Sequence, residues 1–196
     1  MSMRIAIQIV LVCASVLGLQ TAYSQGTFLM SNYDPVVGVD APIFDGGGIP
    51  LAGADYLAAL YAGPSPNSLQ PAVLASGPKP GVPFSSGVDA GYFFTYGDYM
   101  VANNVFGGSY AWLQVVAWDA RLGATYEDVV NLGIGGYGQS PLFYALSGGG
   151  ATLPPPPNPL IGLQSFSLLP VIPEPSATLI LLVGLPLLFR RFRRPK

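Results

Sequence analysis

Residues 111–118 have the sequence Ala-Trp-Leu-Gln-Val-Val-Ala-Trp, in which Gln114 is the only polar side chain. Successive side chains of a β-strand point to opposite faces, so both faces of this run are apolar. Such a strand needs cover on both sides, which predicts a central position in a sheet. Asp55–Tyr61 has the same two-sided pattern. We expect these two runs to form the heart of the core.

Short apolar and aromatic runs, separated by turn residues, continue on both sides of these two strands. The chain of 196 residues contains 25 Gly and 20 Pro, and only 9 % of it is charged. This composition disfavours helical bundles and is typical of sandwiches and barrels. We predict an all-β, β-sandwich-like ectodomain. Its eight predicted strands are Thr27–Tyr33, Pro42–Phe44, Asp55–Tyr61, Ala72–Ser76, Gly91–Thr95, Tyr110–Trp118, Pro141–Leu146 and Gly162–Leu169.

One short helix is expected after the central strand. Thr125 followed by Asp128 has the form of a capping box, and Gly133 stands where a helix commonly ends. The next residues, 133–138, match Gly-x-Gly-x-x-Gly, but a dinucleotide site needs a strand before that motif and a helix after it. A helix precedes it here, so we assign the motif to a loop.

The N-terminus has the features of a cleaved signal peptide. Arg4 precedes an apolar run over residues 5–19, and Ala22 and Ser24 place small residues at −3 and −1 of a cleavage site. We predict a signal peptide over residues 1–24; the alternative is an uncleaved membrane anchor. Cleavage would remove Cys13, the only cysteine, and leave the mature domain without disulfides.

The C-terminus has three consecutive parts. The motif Pro173-Glu174-Pro175 lies within residues 171–176, an apolar run follows over 177–189, and the basic end occupies 190–196. Thirteen helical residues cover about 20 Å, which makes the predicted transmembrane helix short for a bilayer. The alternative is a core helix of a soluble protein. Basic residues would flank the span on its cytoplasmic side: Arg190, Arg191, Arg193 and Arg194.

The order of these parts resembles the PEP-CTERM sorting signal of bacteria that make extracellular polysaccharide. The resemblance implies that an exosortase-type membrane protease recognises the tail, residues 170–196, near Pro173-Glu174-Pro175. It also implies an exopolysaccharide context. The domain before the tail, residues 25–169, is similar to uncharacterised ectodomains that accompany this signal, which implies no activity.

Charge and composition exclude several functions for the ectodomain. Two basic residues, Lys79 and Arg121, stand against nine acidic ones within residues 25–169, a net charge of −7. Such a surface repels nucleic acid. The chain has no histidine, which removes Ser-His-Asp and Cys-His sites and the usual zinc ligand sets. We therefore predict a protein that is not an enzyme and needs no cofactor.

Carboxylates are the remaining candidates for site chemistry. Asp119, Glu127 and Asp128 are close in sequence and are interpreted as surface charge. Asp40 and Asp45 precede a glycine-rich turn and are the candidates for calcium. They lack EF-hand spacing, and Asp is common in such turns for backbone reasons. No metal site is predicted.

Aromatic residues are dense over residues 92–110, and strand alternation would bury about half of them. Tyr96 and Tyr99 are expected on a loop rim. We expect an exported, non-enzymatic surface or matrix protein, anchored through its tail and associated with exopolysaccharide. Alternatives are a carbohydrate-binding or adhesive module, favoured by exposed coplanar aromatics, and a carboxylate-dependent hydrolase, favoured by two cleft carboxylates. Ice binding would require a Thr-rich repeat, which is absent.

Overall fold

The structure is a computed structural model that describes residues 24–149 and 156–172. Apart from Ser24, the predicted signal peptide lies outside the described residues. The same holds for the sorting motif, the predicted membrane span and the basic end. No helix in the described part of the chain is long and apolar enough to cross a bilayer.

The described chain consists mostly of β-strands with one short α-helix, which confirms the all-β prediction. The strands are β1 (Gln25–Phe28), β2 (Tyr33–Asp34), β3 (Val39–Asp40), β4 (Tyr56–Gly63), β5 (Gln70–Pro71), β6 (Val73–Leu74), β7 (Val82–Pro83), β8 (Met100–Phe106), β9 (Tyr110–Asp119), β10 (Tyr137–Gln139) and β11 (Phe143–Leu146). The helix, α1, spans Tyr126–Leu132. A 3-10 turn occupies Gly87–Asp89.

Strand β9 is the centre of a six-stranded sheet, as its sequence predicts. It pairs antiparallel with β4 along one edge, from Tyr56 opposite Asp119 to Gly63 opposite Trp112. Along its other edge it pairs with β10 and β11. Strands β5 and β7 extend the sheet beyond β4. The two predicted core strands are therefore hydrogen-bonded neighbours.

A three-stranded sheet in the order β1-β8-β6 shares one hydrophobic core with the larger sheet. Phe28 and Met100 come from the smaller sheet, and Leu60 and Leu113 from the larger one; all four are buried. Strand β8 is missing from the predicted strands. Its middle contains Asn103-Asn104, and Asn is depleted in strands, so its pattern did not indicate one.

Several predicted strands were wrong in extent. The predicted strand Thr27–Tyr33 is not continuous, because β1 ends at Phe28 and β2 begins only at Tyr33. Pro42–Phe44, Gly91–Thr95 and Gly162–Leu169 form isolated bridges rather than strands. Each run contains or adjoins Gly or Pro, which interrupt a regular ladder.

Helix α1 has the predicted ends. The Thr125 side chain accepts from the Asp128 N–H, the Asp128 side chain accepts from the Thr125 N–H, and Gly133 ends the helix with φ of 70°. Val129 is buried against Val116 and Trp118 on the outer face of the six-stranded sheet. The helix therefore covers one end of that face and creates a second, smaller core.

Candidate functional site

Three aromatic side chains lie on the outer face of the six-stranded sheet, at the end that α1 leaves uncovered. We call Tyr110, Trp112 and Tyr144 the aromatic ladder. Tyr144 on β11 is directly opposite Trp112 on β9, with ring centroids 5.2 Å apart. The rings of Tyr110 and Tyr144 are also 5.2 Å apart and nearly parallel, at 15°. Tyr110 is 58 % exposed and Tyr144 55 %.

The ladder corrects the expectation that both faces of residues 111–118 are covered. Val116 and Trp118 are covered by α1, but Trp112 is only half-buried, although it lies on the same face two pleats away. Cross-strand aromatic pairs stabilise a sheet without burial by another layer. The outer face of this strand therefore changes along its length, because Val116 and Trp118 form a core with α1 while Trp112 stays half-buried.

The ladder lies in a part of the sheet without charged residues. Strands β4, β8, β10 and β11 contain no Asp, Glu, Lys or Arg, and β9 has none before Asp119. Aromatic rings in this setting offer apolar faces, while the two Tyr hydroxyls offer polar edges. The surface is suited to an uncharged, amphipathic partner.

Another exposed tyrosine, Tyr96, lies at a turn, as expected from the sequence. Tyr96 is 88 % exposed, and its ring lies 5.8 Å from that of Phe94. The Asp98 N–H donates to the Thr95 carbonyl at 3.2 Å. Gly97 has φ of 73°, the conformation that the third position of a type II turn requires. Tyr96 is thus held at the turn's outer corner.

The Asp98 carboxylate joins this turn to the loop after β6. It accepts from the Ser76 hydroxyl at 2.5 Å and from the Tyr99 N–H at 2.9 Å. A cleft of about 560 Å³ lies between the two segments, lined by Lys79, Phe94 and Tyr96 among others. This cleft brings aromatic rings and a carboxylate together, but the carboxylate is engaged in holding the loops.

Removing the Ser76 hydroxyl should raise the pKa of Asp98. The hydrogen bond from Ser76 is the largest cause that lowers this pKa below its usual value. Because the pKa of Asp98 is lower in the folded than in the unfolded chain, its ionised carboxylate stabilises the fold at pH values above the ordinary Asp pKa of about 4. This stabilisation is lost as the pH falls through the pKa of the folded state. An NMR titration of the Asp98 carboxyl should show a higher midpoint in Ser76→Ala than in wild type. Ser86→Ala is the control and should leave the Asp98 midpoint unchanged. Equal midpoints for wild type and Ser76→Ala would contradict this assignment.

Asp119 is a buried residue, so its interpretation as surface charge was wrong. It is 5 % exposed, and both of its carboxylate oxygens accept from Arg121, at 2.8 Å from Nε and 2.6 Å from a terminal nitrogen. These hydrogen bonds raise the pKa of Arg121 above its usual value. Arg121 also lies 3.6 Å from Asp55. Glu127 and Asp128 are exposed, as expected.

The last described residues are bound to the domain on both sides. We call Phe166–Ile172 the closing segment. On one side, Leu168 N–H donates to the Phe44 carbonyl at 2.8 Å. On the other, Leu169 N–H donates to Tyr137 at 2.8 Å and Ile172 N–H to Ile134 at 2.7 Å.

Glycines line the path of this segment. A Cβ on Gly46 would lie 2.5 Å from Pro170 Cα, one on Gly138 would lie 2.7 Å from the Ser167 oxygen, and one on Gly135 would overlap the Pro170 oxygen. The loop assignment of residues 133–138 is confirmed up to Gly136, where β10 follows. Its glycines allow close approach of another backbone, as glycine does generally.

The calcium candidates are engaged in separate local contacts. Asp45 Oδ1 accepts from the N–H groups of Gly47 and Ile49, both at 2.8 Å. Asp40 accepts from the Tyr92 hydroxyl at 2.8 Å. Within residues 24–149 and 156–172, no three acidic side chains gather in a metal-binding group.

Ser24, the predicted cleavage residue, is exposed, and its carbonyl accepts from the Gly107 N–H at 2.8 Å.

No protein-family model, curated protein or solved structure matches this chain. Two features described above were missing from the sequence-based site candidates: Tyr144 as a ladder member, and the role of Gly135 beside the closing segment. Alternation over residues 141–146 places Leu142, Tyr144 and Leu146 on one face, which could have indicated an apolar outer surface.

Proposed function

We propose that this protein is an exported, non-enzymatic cell-surface or matrix protein, attached through a PEP-CTERM-type tail. Its domain is a β-sandwich, an interpretation supported by the core that the two sheets share. An exosortase-type membrane protease and the membrane are its partners during sorting. Exopolysaccharide is the environment in which the domain works.

The observation that best supports attachment is the closing segment. Backbone hydrogen bonds hold the chain to the domain as far as Ile172, three residues past the predicted domain end at Leu169. The motif Pro173-Glu174-Pro175 begins at the next residue. An anchor that follows this motif would therefore hold the domain beside the membrane without a long linker.

A polysaccharide-binding role for the domain is favoured over the hydrolase alternative. A pair of catalytic carboxylates needs one acid and one base facing a common substrate space. Asp55 and Asp119 instead both form ion pairs with Arg121, and both carboxylate oxygens of Asp119 accept hydrogen bonds from the Arg121 guanidinium. The aromatic ladder, by contrast, exposes the rings of Tyr110 and Tyr144 to solvent, which supports a carbohydrate-binding role, although these two rings stack on each other rather than lie in one plane.

Deleting residues 177–196 should release the protein into the medium, because the apolar run and its arginines are the proposed anchor. Cell fractionation and mass spectrometry of the mature ends measure this. Glu174→Ala is the matched control, since it keeps the anchor; in a host with the sorting enzyme it should accumulate as full-length, membrane-bound protein. A truncated form that stays in the membrane after signal cleavage would refute the anchor.

A further inference from the structure

We propose that the closing segment is a barrier to proteolysis that is built into the fold. While the domain is folded, residues 166–172 are withheld from cleavage, and C-terminal processing is confined to the chain after Ile172. This deepens the proposed function, on which it rests only for the identity of the processing enzyme. The mature protein then keeps Phe166–Ile172 as part of its domain.

Both edges of the closing segment are occupied by backbone hydrogen bonds. On one edge, the Phe44 N–H donates to the Phe166 carbonyl at 3.1 Å, and the Leu168 N–H donates to the Phe44 carbonyl at 2.8 Å. On the other edge, the Leu169 N–H donates to the Tyr137 carbonyl at 2.8 Å. An enzyme that takes an extended peptide holds it through the same main-chain groups, as in β-strand addition. A protease therefore cannot bind these residues while their hydrogen bonds last.

The segment is also packed closely against the domain on two sides. Leu168 is buried in the core that the two sheets share. Pro170 lies over Gly46, where a Cβ would come within 2.5 Å of the Pro170 Cα. Ser167 lies over Gly138, where a Cβ would come within 2.7 Å of the Ser167 oxygen. Opening the segment would expose a core leucine and break both contacts, which lowers the population of the open state.

The side chains of the segment would not themselves prevent cleavage. Leu169 is 51 % exposed, Val171 46 % and Ile172 68 %, and a protease of broad apolar specificity accepts such side chains. The Ile172 backbone is nevertheless held, because its N–H donates to the Ile134 carbonyl at 2.7 Å. Susceptibility to cleavage depends on the burial and hydrogen bonding of the backbone. The fold, and not the residue types, therefore withholds this segment.

The barrier ends where the sorting motif begins. Pro173-Glu174-Pro175 directly follows Ile172. Proline has no backbone N–H, so donation by consecutive main-chain groups stops at this motif. A processing enzyme therefore competes with the domain for residues up to Ile172 but not through such donors beyond it. Water or an acceptor amine can take the acyl group at the cut, and the closing segment decides only which peptide bonds are reached.

The test digests the full-length protein, purified in detergent, with proteinase K, which cuts after apolar and aromatic residues. The bonds after Phe166, Leu168 and Val171 are its sites inside the segment, and each cut adds one water across a C–N bond. Intact-mass spectrometry identifies the C-terminus of each fragment. In wild type, the domain fragments should end at or after Ile172.

Gly46→Ala and Gly138→Ala should displace the segment from opposite sides. Neither glycine has a positive φ, so the new Cβ acts through its contact with the segment. Cleavage inside the segment should become roughly tenfold faster or more, which corresponds to about 1.4 kcal/mol in the free energy of local opening. Gly47→Ala is the matched control, because a Cβ there would meet only Asp45 Oδ1, at 3.3 Å. It should be cut like wild type.

Two results would overturn the proposal: cuts inside the segment of folded wild type, and equal cutting rates in wild type and both displacing variants. Circular dichroism checks that each variant keeps the wild-type β-spectrum. A variant that unfolds would be cut in β9 as fast as in the closing segment. In that case, the positions of the cuts in wild type decide the outcome alone.

Failure of the proposed function has a different signature. In a host with the sorting enzyme, processed wild type should end at or after Ile172, whereas Gly46→Ala and Gly138→Ala should also yield ends inside the segment. If the wild-type tail is never processed there but proteinase K still stops at Ile172, the sorting role fails and the barrier stands. Processed wild type that ends inside the segment would refute the barrier and leave the sorting role intact.

Discussion

Trp118→Ala should lower the free energy of unfolding by about 3–5 kcal/mol, the usual cost of removing a large buried ring. Trp118 is completely buried and packs between the sheet and α1. Its ring contacts that of Tyr126 edge-on, with centroids 6.4 Å apart. The substitution should therefore weaken both the sheet and the attachment of the helix. Urea unfolding followed by circular dichroism measures the effect.

Trp118→Phe is the informative comparison. The indole Nε1 is buried and has no hydrogen-bond partner among the described residues. An unpaired buried donor costs about 1–3 kcal/mol, so phenylalanine removes a cost while losing only part of the packing. We expect Trp118→Phe to retain more than half of the stability that alanine loses. Equal losses would show that the donor is satisfied or that the full indole volume is essential.

Gly135→Ala should detach the closing segment. Gly135 has φ of 91°, and a Cβ there would overlap the Pro170 carbonyl oxygen. The backbone strain alone typically costs about 1–3 kcal/mol, and the overlap adds to it. The amides of Leu169 and Ile172, which donate to Tyr137 and Ile134, should lose hydrogen-exchange protection.

Gly133→Ala provides the matched control for that experiment. Gly133 also has a positive φ, 70°, but a Cβ there would meet nothing within 4 Å. It should carry the backbone strain without displacing the closing segment. Exchange at Leu169 and Ile172 should stay slow in Gly133→Ala and become fast in Gly135→Ala. Equally fast exchange in both variants would mean that the backbone strain, and not the overlap of the new Cβ with Pro170, releases the segment.

Local patterns in the sequence predicted those elements whose determinants are close together along the chain. The two-sided apolar run of residues 111–118 became the central strand, and the pairing of Thr125 with Asp128 capped the helix. Both depend on side chains within one element. Tyr96 was likewise expected at a rim because Gly97 and Asp98 mark a turn.

Only the tertiary structure decided which apolar face stayed open and which charged group was buried. Trp112 and Trp118 occupy the same face of β9, but α1 packs on the end that carries Trp118, so Trp118 is fully buried and Trp112 only half-buried. Asp119 is buried because Arg121 accompanies it. Gly135 matters because Pro170, 35 residues later, returns to it. These outcomes depend on contacts between distant segments, and local periodicity carries no information about which segments meet.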